Sequence, residues 1–247
     1  MSGVSVVIAS YNQLGTLPLT LRSLATQFVK PVHVIVADDG SSDGTSQWLD
    51  SLPDDAYPFP LSYVTARHEL YGLAVSENRG AKFATSGRIL FTNADLIHNP
   101  HSVEAHLAAS PNGIGGGRVK EVKYPESESV GESHIKDFKT FLARFGDCLS
   151  DLTNDSFVVG HPEKNIYGVW GGNFSMDAIR FHSIDGFNES YQGKYGGEEA
   201  DLIQRFKERG GYTEWVYNSV AYHLGHKSRA YRESQDGIRK YKSENPR

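Results

Sequence analysis

Four clusters of polar side chains have the composition and spacing to do chemistry. The first is Asn93-Ala94-Asp95, which ends the apolar run Ile89-Leu90-Phe91. A divalent ion bridging two phosphates needs hard oxygen ligands, with one carboxylate as the minimum anchor. Asp95 offers that carboxylate, while Asn93 can accept a metal, bond a ribose hydroxyl or hold a water; plain strand-end turn chemistry is the competing reading. The second cluster, Asp38-Asp39-Gly40-Ser41-Ser42, can accept from a base N–H or a ribose hydroxyl, or serve as a polar turn that caps a helix. In the third, Glu198 and Glu199 follow Gly196-Gly197 at the start of a helical stretch. Such a pair either complements the positive end of the helix dipole or delivers a general base from a glycine loop. The fourth joins His223 and His226, three residues apart, to Lys227 and Arg229. It reads as a zinc pair, as a ligand completing a phosphate-bound ion beside cations on a diphosphate, or as a solvated basic loop.

The elements that must position these groups follow from the hydrophobic pattern. Val4–Ala9, Val32–Ala37, Leu61–Thr65 and Arg88–Thr92 are short apolar or β-branched runs, as expected of strands covered on both faces. Leu17, Leu21, Leu24 and Phe28 recur at helical spacing, Asp43 is placed to cap a helix carrying Trp48 and Leu49, and residues 78–85 read as part of another helix. Strands alternating with helices predict βαβ units and a mostly parallel sheet. Ser10-Tyr11-Asn12, Asp38–Asp43 and Asn93–Asp95 all follow strand C-termini, the edge that lines the ligand crevice of an open α/β sheet. Further along, the expectation is a strand at Ile114–Val119, a helix at Ile135–Leu149 and a strand within Trp170–Met176. A helix at Glu198–Arg209 and two short strands, Thr213–Tyr217 and Ser219–Tyr222, follow.

Composition narrows the class. The chain has 247 residues, 38% apolar and 22% charged, with a net charge of −5, which argues against a nucleic-acid partner. Its single cysteine, Cys148, cannot form an internal disulfide. No stretch approaches the roughly 18 apolar residues of a membrane span, and the opening run reads as a strand and not as a signal peptide. A cytoplasmic setting is the expectation. Neither a G-x-G-x-x-G after the first strand nor a G-x-x-x-x-G-K-[ST] occurs, so dinucleotide and P-loop phosphate binding lack support.

Taken in order, Val4-Ser-Val-Val-Ile-Ala-Ser-Tyr-Asn12, Val36-Ala-Asp-Asp-Gly-Ser-Ser-Asp-Gly44, Asn78-Arg-Gly80 with Ala84-Thr-Ser-Gly87, and Phe91-Thr-Asn-Ala-Asp95 resemble family 2 of the GT-A glycosyltransferases over roughly the first 110 residues. Gly171-Gly-Asn-Phe-Ser-Met176, Gly186-Phe-Asn-Glu189, Tyr195-Gly-Gly-Glu-Glu199 and His223-Leu-Gly-His226 are similar to the C-terminal catalytic segment of galactosyl- and N-acetylgalactosaminyltransferases. The fold so implied is a single α/β GT-A domain. Residues 1–110 form its nucleotide-sugar half and residues 111–233 its acceptor and catalytic half, followed by a polar tail, 234–247.

The resemblance also implies a site. Ser10 and Tyr11 flank the base, Asp39 or Asp38 binds uracil or ribose, and Asn78, Arg79 and Asn93 lie on the donor side. Asp95 and His226 hold Mn²⁺ or Mg²⁺ on the donor diphosphate, which Lys227 or Arg229 also contacts. Trp170, Gly172 and Asn173 face the acceptor, a glycan, a lipid-linked sugar or a protein, with peripheral membrane contact for the lipid-linked case. Glu199 is the base of an inverting displacement, with Glu198 bonding the acceptor; the donor lean is to UDP-galactose or UDP-N-acetylgalactosamine. Three departures stand out: Asn93 replaces the usual first Asp, Glu77 sits where many members carry Arg, and Glu199 stands for the common Asp. The alternatives are a non-catalytic nucleotide-sugar-binding module and a nucleotidyltransferase, the latter disfavoured by the absence of a Gly-rich basic loop after the first strand.

Overall fold

In the computed structural model, residues 3–66, 68–152, 172–194 and 196–226 are described. The first 110 residues alternate as read: β1 (Val4–Ser10), α1 (Leu17–Ala25), β2 (His33–Asp38), α2 (Thr45–Asp50), β3 (Leu61–Thr65), α3 (Leu73–Ala81), β4 (Arg88–Asn93), β5 (Leu96–His98) and α4 (Ser102–Leu107). Then come β6 (Gly113–Val122), α5 (Glu132–Lys136), α6 (Phe138–Phe145), β7 (Leu149–Asp151), β8 (Asn173–Asp177), α7 (Ala178–Ser183), α8 (Glu198–Glu208) and β9 (Tyr212–Leu224).

One sheet runs through all of it, in the order β3-β2-β1-β4-β8-β6-β9-β5, with β7 paired to β6. β3, β2, β1 and β4 are parallel neighbours. β8 joins β4 antiparallel, and β6 and β9 pair in parallel further on. The chain leaves β1 toward β2 and β3, then returns to β1's other side as β4. That reversal opens the crevice at the strand C-termini where Ser10, Asp38 and Asn93 sit.

Alternation along the strands decides the two cores. Val7, Ile35, Ile89 and Phe91 point to the face covered by α3, α7 and α8, where they meet Ala74, Phe181, Leu202 and Phe206. Val6, Ile8, Val34, Val36 and Leu90 point to the opposite face, against Leu17, Leu21 and Leu24 of α1 and Val103 of α4. Both faces are thus dry, which is why these strands read as continuous apolar runs. Gly80 lets α3 lie close on the sheet: a Cβ there would meet Val7 Cγ1 at 2.7 Å and Ala37 Cβ at 3.0 Å. A third cluster packs Phe141 and Phe145 of α6 and Ile135 of α5 against Tyr222 and Leu224 of β9.

Several expectations shift. The first helix stops at Ala25, so Phe28 is off its stripe, 69% exposed and in ring contact with His101. Asp43 lies one residue before the cap position but still accepts from Thr45 N at 3.1 Å. The third helix begins at Leu73 and ends at Ala81, earlier than 78–85. The helix read at 135–149 is two, because Asp137 turns out of the first and caps the second by accepting from Lys139 N. The two late strands are one, β9, carried past an irregularity in register opposite Gly116 and Arg118.

Candidate active site

One end of the crevice gathers a candidate set of metal ligands. Asp95 follows β4 in the turn to β5, tied at both sides by its backbone: Ala94 N donates to Ala9 O, and Asp95 O accepts from Leu224 N. Its carboxylate is 5% exposed. Oδ2 accepts from Gln13 Nε2 at 3.3 Å and stands 3.3 Å from His223 Nε2 and 3.9 Å from His226 Nε2. Asp95, His223 and His226 each present one ligand atom, all within 4.8 Å of one another. Burial alone would raise the Asp95 pKa, but hydrogen bonding and charge from His223, then Gln13 and His226, hold it below the usual carboxylate value. Burial likewise would lower His223, but its contacts with Asp95 and with Glu121 (Oε1 3.8 Å from Nδ1) override that and raise the imidazole.

This donor set fits a divalent cation. Asp95 Oδ1 and Asn93 Oδ1 are buried oxygens without a hydrogen-bond partner, and the two imidazoles add borderline nitrogen ligands. His226 was the histidine expected to bind metal. The structure brings His223 closer to Asp95, because β9 registers His223 opposite Leu96. Gln13 has no motif to mark it and is recognisable only from its contact with Asp95.

At the neighbouring strand ends, the two aspartates part company. Asp38 is fully buried and folded back into its own loop, accepting from Gly40 N, Ser41 N and Oγ, and Thr65 Oγ1. Its carboxylate is engaged in that turn rather than facing open space. Asp39 fastens the start of α3 to β2, accepting from Gly72 N at 3.1 Å and Ser76 Oγ at 3.3 Å, with His68 Nδ1 at 2.9 Å. The His68 ring stacks on Tyr11 at 4.1 Å between centroids, and Tyr11 keeps 44% of its surface open. Ser10 Oγ is buried beside them without a partner. Nothing in the sequence around His68 signalled that shelf.

The carboxylate end lies at the start of α8. Gly197 adopts φ +109° there, and a Cβ on it would meet the Tyr191 ring at 2.8 Å, so the turn into the helix requires glycine. Glu198 is 2% exposed, accepts from Tyr71 and leaves Oε2 unpartnered; burial raises its pKa. Glu199 reaches the surface in part, and burial with the Glu198 charge raises it to about 7. A third carboxyl joins them from α3: Glu77 is 1% exposed, both its oxygens lack partners, and burial followed by the charges of Glu199 and Glu198 raises it well above normal.

Two other side chains assigned to the site are engaged in packing contacts. Asn78 clips α3 to the segment after α7, donating to Phe187 O at 2.8 Å and Glu189 Oε1 at 3.0 Å and accepting from Phe187 N at 2.8 Å. It lines a cleft of about 570 Å³ with Asp185 and Arg205. Its neighbour Arg79 is half-buried, with Nη1 unpartnered. Asn173 is fully buried in β8, donating to Arg118 O, with Oδ1 held by Ser219 Oγ and facing His106 Nε2. That side chain organises the sheet and is closed to an acceptor. Gly172 is buried just before β8, while Trp170, Lys227 and Arg229 lie outside the described residues.

The fold is that of the GT-A glycosyltransferases. The crystal structure of GalNAc-T7 with UDP, GalNAc and Mn²⁺ matches it with a TM-score of 0.65 over 90% of this chain and 43% of that one, at 14% identity. The family model "Glycosyl transferase family 2" matches residues 5–118, and "N-terminal domain of galactosyltransferase" matches residues 157–227. The uncharacterized glycosyltransferase YfnE of Bacillus subtilis is 34% identical, over 95% of this chain and 67% of its own length. The chain therefore belongs to the glycosyltransferases, with its first half matching family 2. It is also 29% identical to the validoxylamine A glucosyltransferase of Streptomyces hygroscopicus subsp. limoneus, over 84% of this chain and 48% of that protein. It thus spans about half the length of that curated relative. Among the described residues no helix is long and apolar enough to cross a membrane.

Proposed function

We propose that this chain transfers a sugar from a UDP-sugar to an acceptor hydroxyl, with inversion at the anomeric carbon. The observation that carries the reading is the convergence of Asp95, His223 and His226 at the end of β4. Mn²⁺ or Mg²⁺ held by these residues supplies charge neutralisation for a departing diphosphate. Tyr11 offers an open aromatic face for the base, next to His68 and Asp39. Glu199, raised to about 7, is a competent base at neutral pH. It takes the proton of the acceptor hydroxyl as that oxygen bonds to the anomeric carbon. The bond from that carbon to the diphosphate breaks, and its electron pair leaves with UDP. Lys227 and Arg229 follow the histidine stretch in sequence and add positive charge on the diphosphate side. A role in polysaccharide assembly, in the cytoplasm or at the cytoplasmic face of a membrane, belongs to the same reading.

The donor lean remains UDP-galactose or UDP-N-acetylgalactosamine, supported by the galactosyltransferase model over residues 157–227. A relative named as a glucosyltransferase adds UDP-glucose to the candidates. The test is nucleotide release from a panel of UDP-, GDP- and dTDP-sugars with Mn²⁺ and an acceptor set of glycans and lipid-linked sugars. Mn²⁺-dependent UDP release, lost in Glu199→Gln with UDP binding kept, supports the reading; release from GDP- or dTDP-sugars alone sinks the donor assignment. The second reading, a binding module without transfer, draws on Asn93 in place of a carboxylate. It predicts UDP-sugar binding with no turnover in wild type.

A further inference from the structure

His223 stands between two carboxylates, and only one of them belongs to the cluster at Asp95. Its Nε2 faces Asp95 Oδ2 at 3.3 Å, while its Nδ1 lies 3.8 Å from Glu121 Oε1. Backbone register sets this arrangement. β9 runs between β6 and β5, pairing His223 with Leu96 on one side and with Glu121 on the other. Paired residues of neighbouring strands project to the same face of a sheet, so Glu121 and His223 emerge side by side. Among the described residues no other basic side chain pairs with Glu121.

The end of β9 is held on both flanks. Leu224 N donates to Asp95 O and Gly225 N to Val122 O, each at 2.9 Å. Gly225, between the two histidines, lies close against the end of β6. A Cβ on it would meet Val122 O at 2.8 Å, Tyr124 N at 3.1 Å and Glu121 Oε1 at 3.2 Å. The His223 backbone is thereby fixed, and the freedom left to it is rotation of the ring.

An imidazole that gives Nε2 to a cation is neutral and carries its proton on Nδ1. The acceptor of that N–H decides which way the ring faces and how strongly Nε2 donates. Glu121 is the carboxylate beside it. Its oxygen is roughly 1 Å beyond the usual N–H···O distance, and its side chain keeps 32% of its surface open, which leaves room to close the gap. Glu121 is not one of the three residues whose ligand atoms gather within 4.8 Å of one another.

We propose that Glu121 is a positioning residue for the metal site: it accepts a hydrogen bond from Nδ1–H of His223 and so holds Nε2 toward the cation shared with Asp95 and His226. This rests on that cluster being a metal site. Glu121 touches neither the cation nor the substrates.

The experiment measures Mn²⁺ affinity, from the EPR signal of the free ion, in wild type, Glu121→Ala and Glu121→Gln. Melting temperatures of the metal-free proteins are taken beside it. Loss of the carboxylate behind a ligating histidine should weaken Mn²⁺ binding by about 10- to 100-fold in Glu121→Ala, with the metal-free melting temperature unchanged. Glu121→Gln keeps an acceptor oxygen and should recover part of that loss. With Zn²⁺ as a diamagnetic stand-in, ¹⁵N spectra of histidine-labelled wild type should show His223 protonated at Nδ1. A loss below about tenfold in Glu121→Ala overturns the proposal. An equal loss in the two variants does so as well, since Glu121 would then act by charge alone. His223 bound to Zn²⁺ through Nδ1 also overturns it, and that result needs no variant to fold. Wild type that binds no Mn²⁺ removes the metal reading itself, which separates the two failures.

Discussion

Asp95 Oδ2 stands 3.3 Å from Nε2 of His223 and accepts the Gln13 amide at the same distance, so one buried oxygen links α1's leading loop to the end of β9. The other oxygen, Oδ1, has no partner. With Asn93 Oδ1 equally unpartnered, two buried acceptors stand unmet near the strand end. Mn²⁺ at one hundred times its Kd should therefore stabilise the fold by about 2.7 kcal/mol, read as a rise in melting temperature. Asp95→Ala should abolish the rise. Asn93→Asp should enlarge it, since a second carboxylate tightens the site only if metal binds there.

The acid limb of kcat/KM should have its midpoint near 7, the value to which burial and Glu198 bring Glu199. Glu199→Gln should lower kcat by 10²-fold or more, the usual scale for loss of a general base, with UDP affinity retained. A midpoint near 4.5 would show an ordinary exposed glutamate.

Glu77 should make the protein less stable as pH rises. Its folded pKa is raised above the unfolded value, so between the two the native state holds a proton that the unfolded chain has released. Stability is full below the unfolded pKa near 4.5 and falls with a slope of up to about 1.4 kcal/mol per pH unit above it. Glu199 adds a like slope up to about 7. Urea unfolding of Glu77→Gln should show a flatter decline between pH 5 and pH 8 than wild type.

Asn78→Ala should cost about 2–3 kcal/mol of stability, since it strands the Phe187 amide and carbonyl in a buried setting. UDP affinity should be unchanged in the folded variant by calorimetry. A large loss of UDP affinity would return Asn78 to the donor side.

Tyr11→Ala should weaken UDP binding by about 1–3 kcal/mol, the range for a base stacked on an aromatic ring, and leave Mn²⁺ affinity alone.

The parallel half of the fold was legible because both faces of its strands are covered, which writes them as unbroken apolar runs such as Val4–Ala9. The same logic located the strand-end clusters, while the family resemblance paired Asp95 with His226, which the fold brings together. Spacing could not say which polar groups are already satisfied. Asp38 and Asp39 are adjacent in sequence, yet the first is folded into its own turn while the second ties β2 to α3. Asn173 looked like a ligand contact in a glycine-rich strand and proved to be a sheet residue bonded to Arg118 O. Glu77 was visible only as a departure from a pattern; its meeting with Glu198 and Glu199 joins residues more than 100 positions apart. Such long-range pairing has no local periodicity to betray it.

The antiparallel partnership of β4 with β8 bears on how the chain can be cut. β4 ends at the turn that carries Asp95, and its other neighbour, β1, belongs to the first half; β8 comes some eighty residues later. A fragment ending at residue 110 would leave β4 as an open edge, with the Phe174, Phe181 and Phe187 rings stripped from Phe91. An apolar strand with unpaired amides recruits other chains. The nucleotide half produced alone should be recovered as insoluble aggregate, and adding residues 111–226 back on the same polypeptide should restore it to solution.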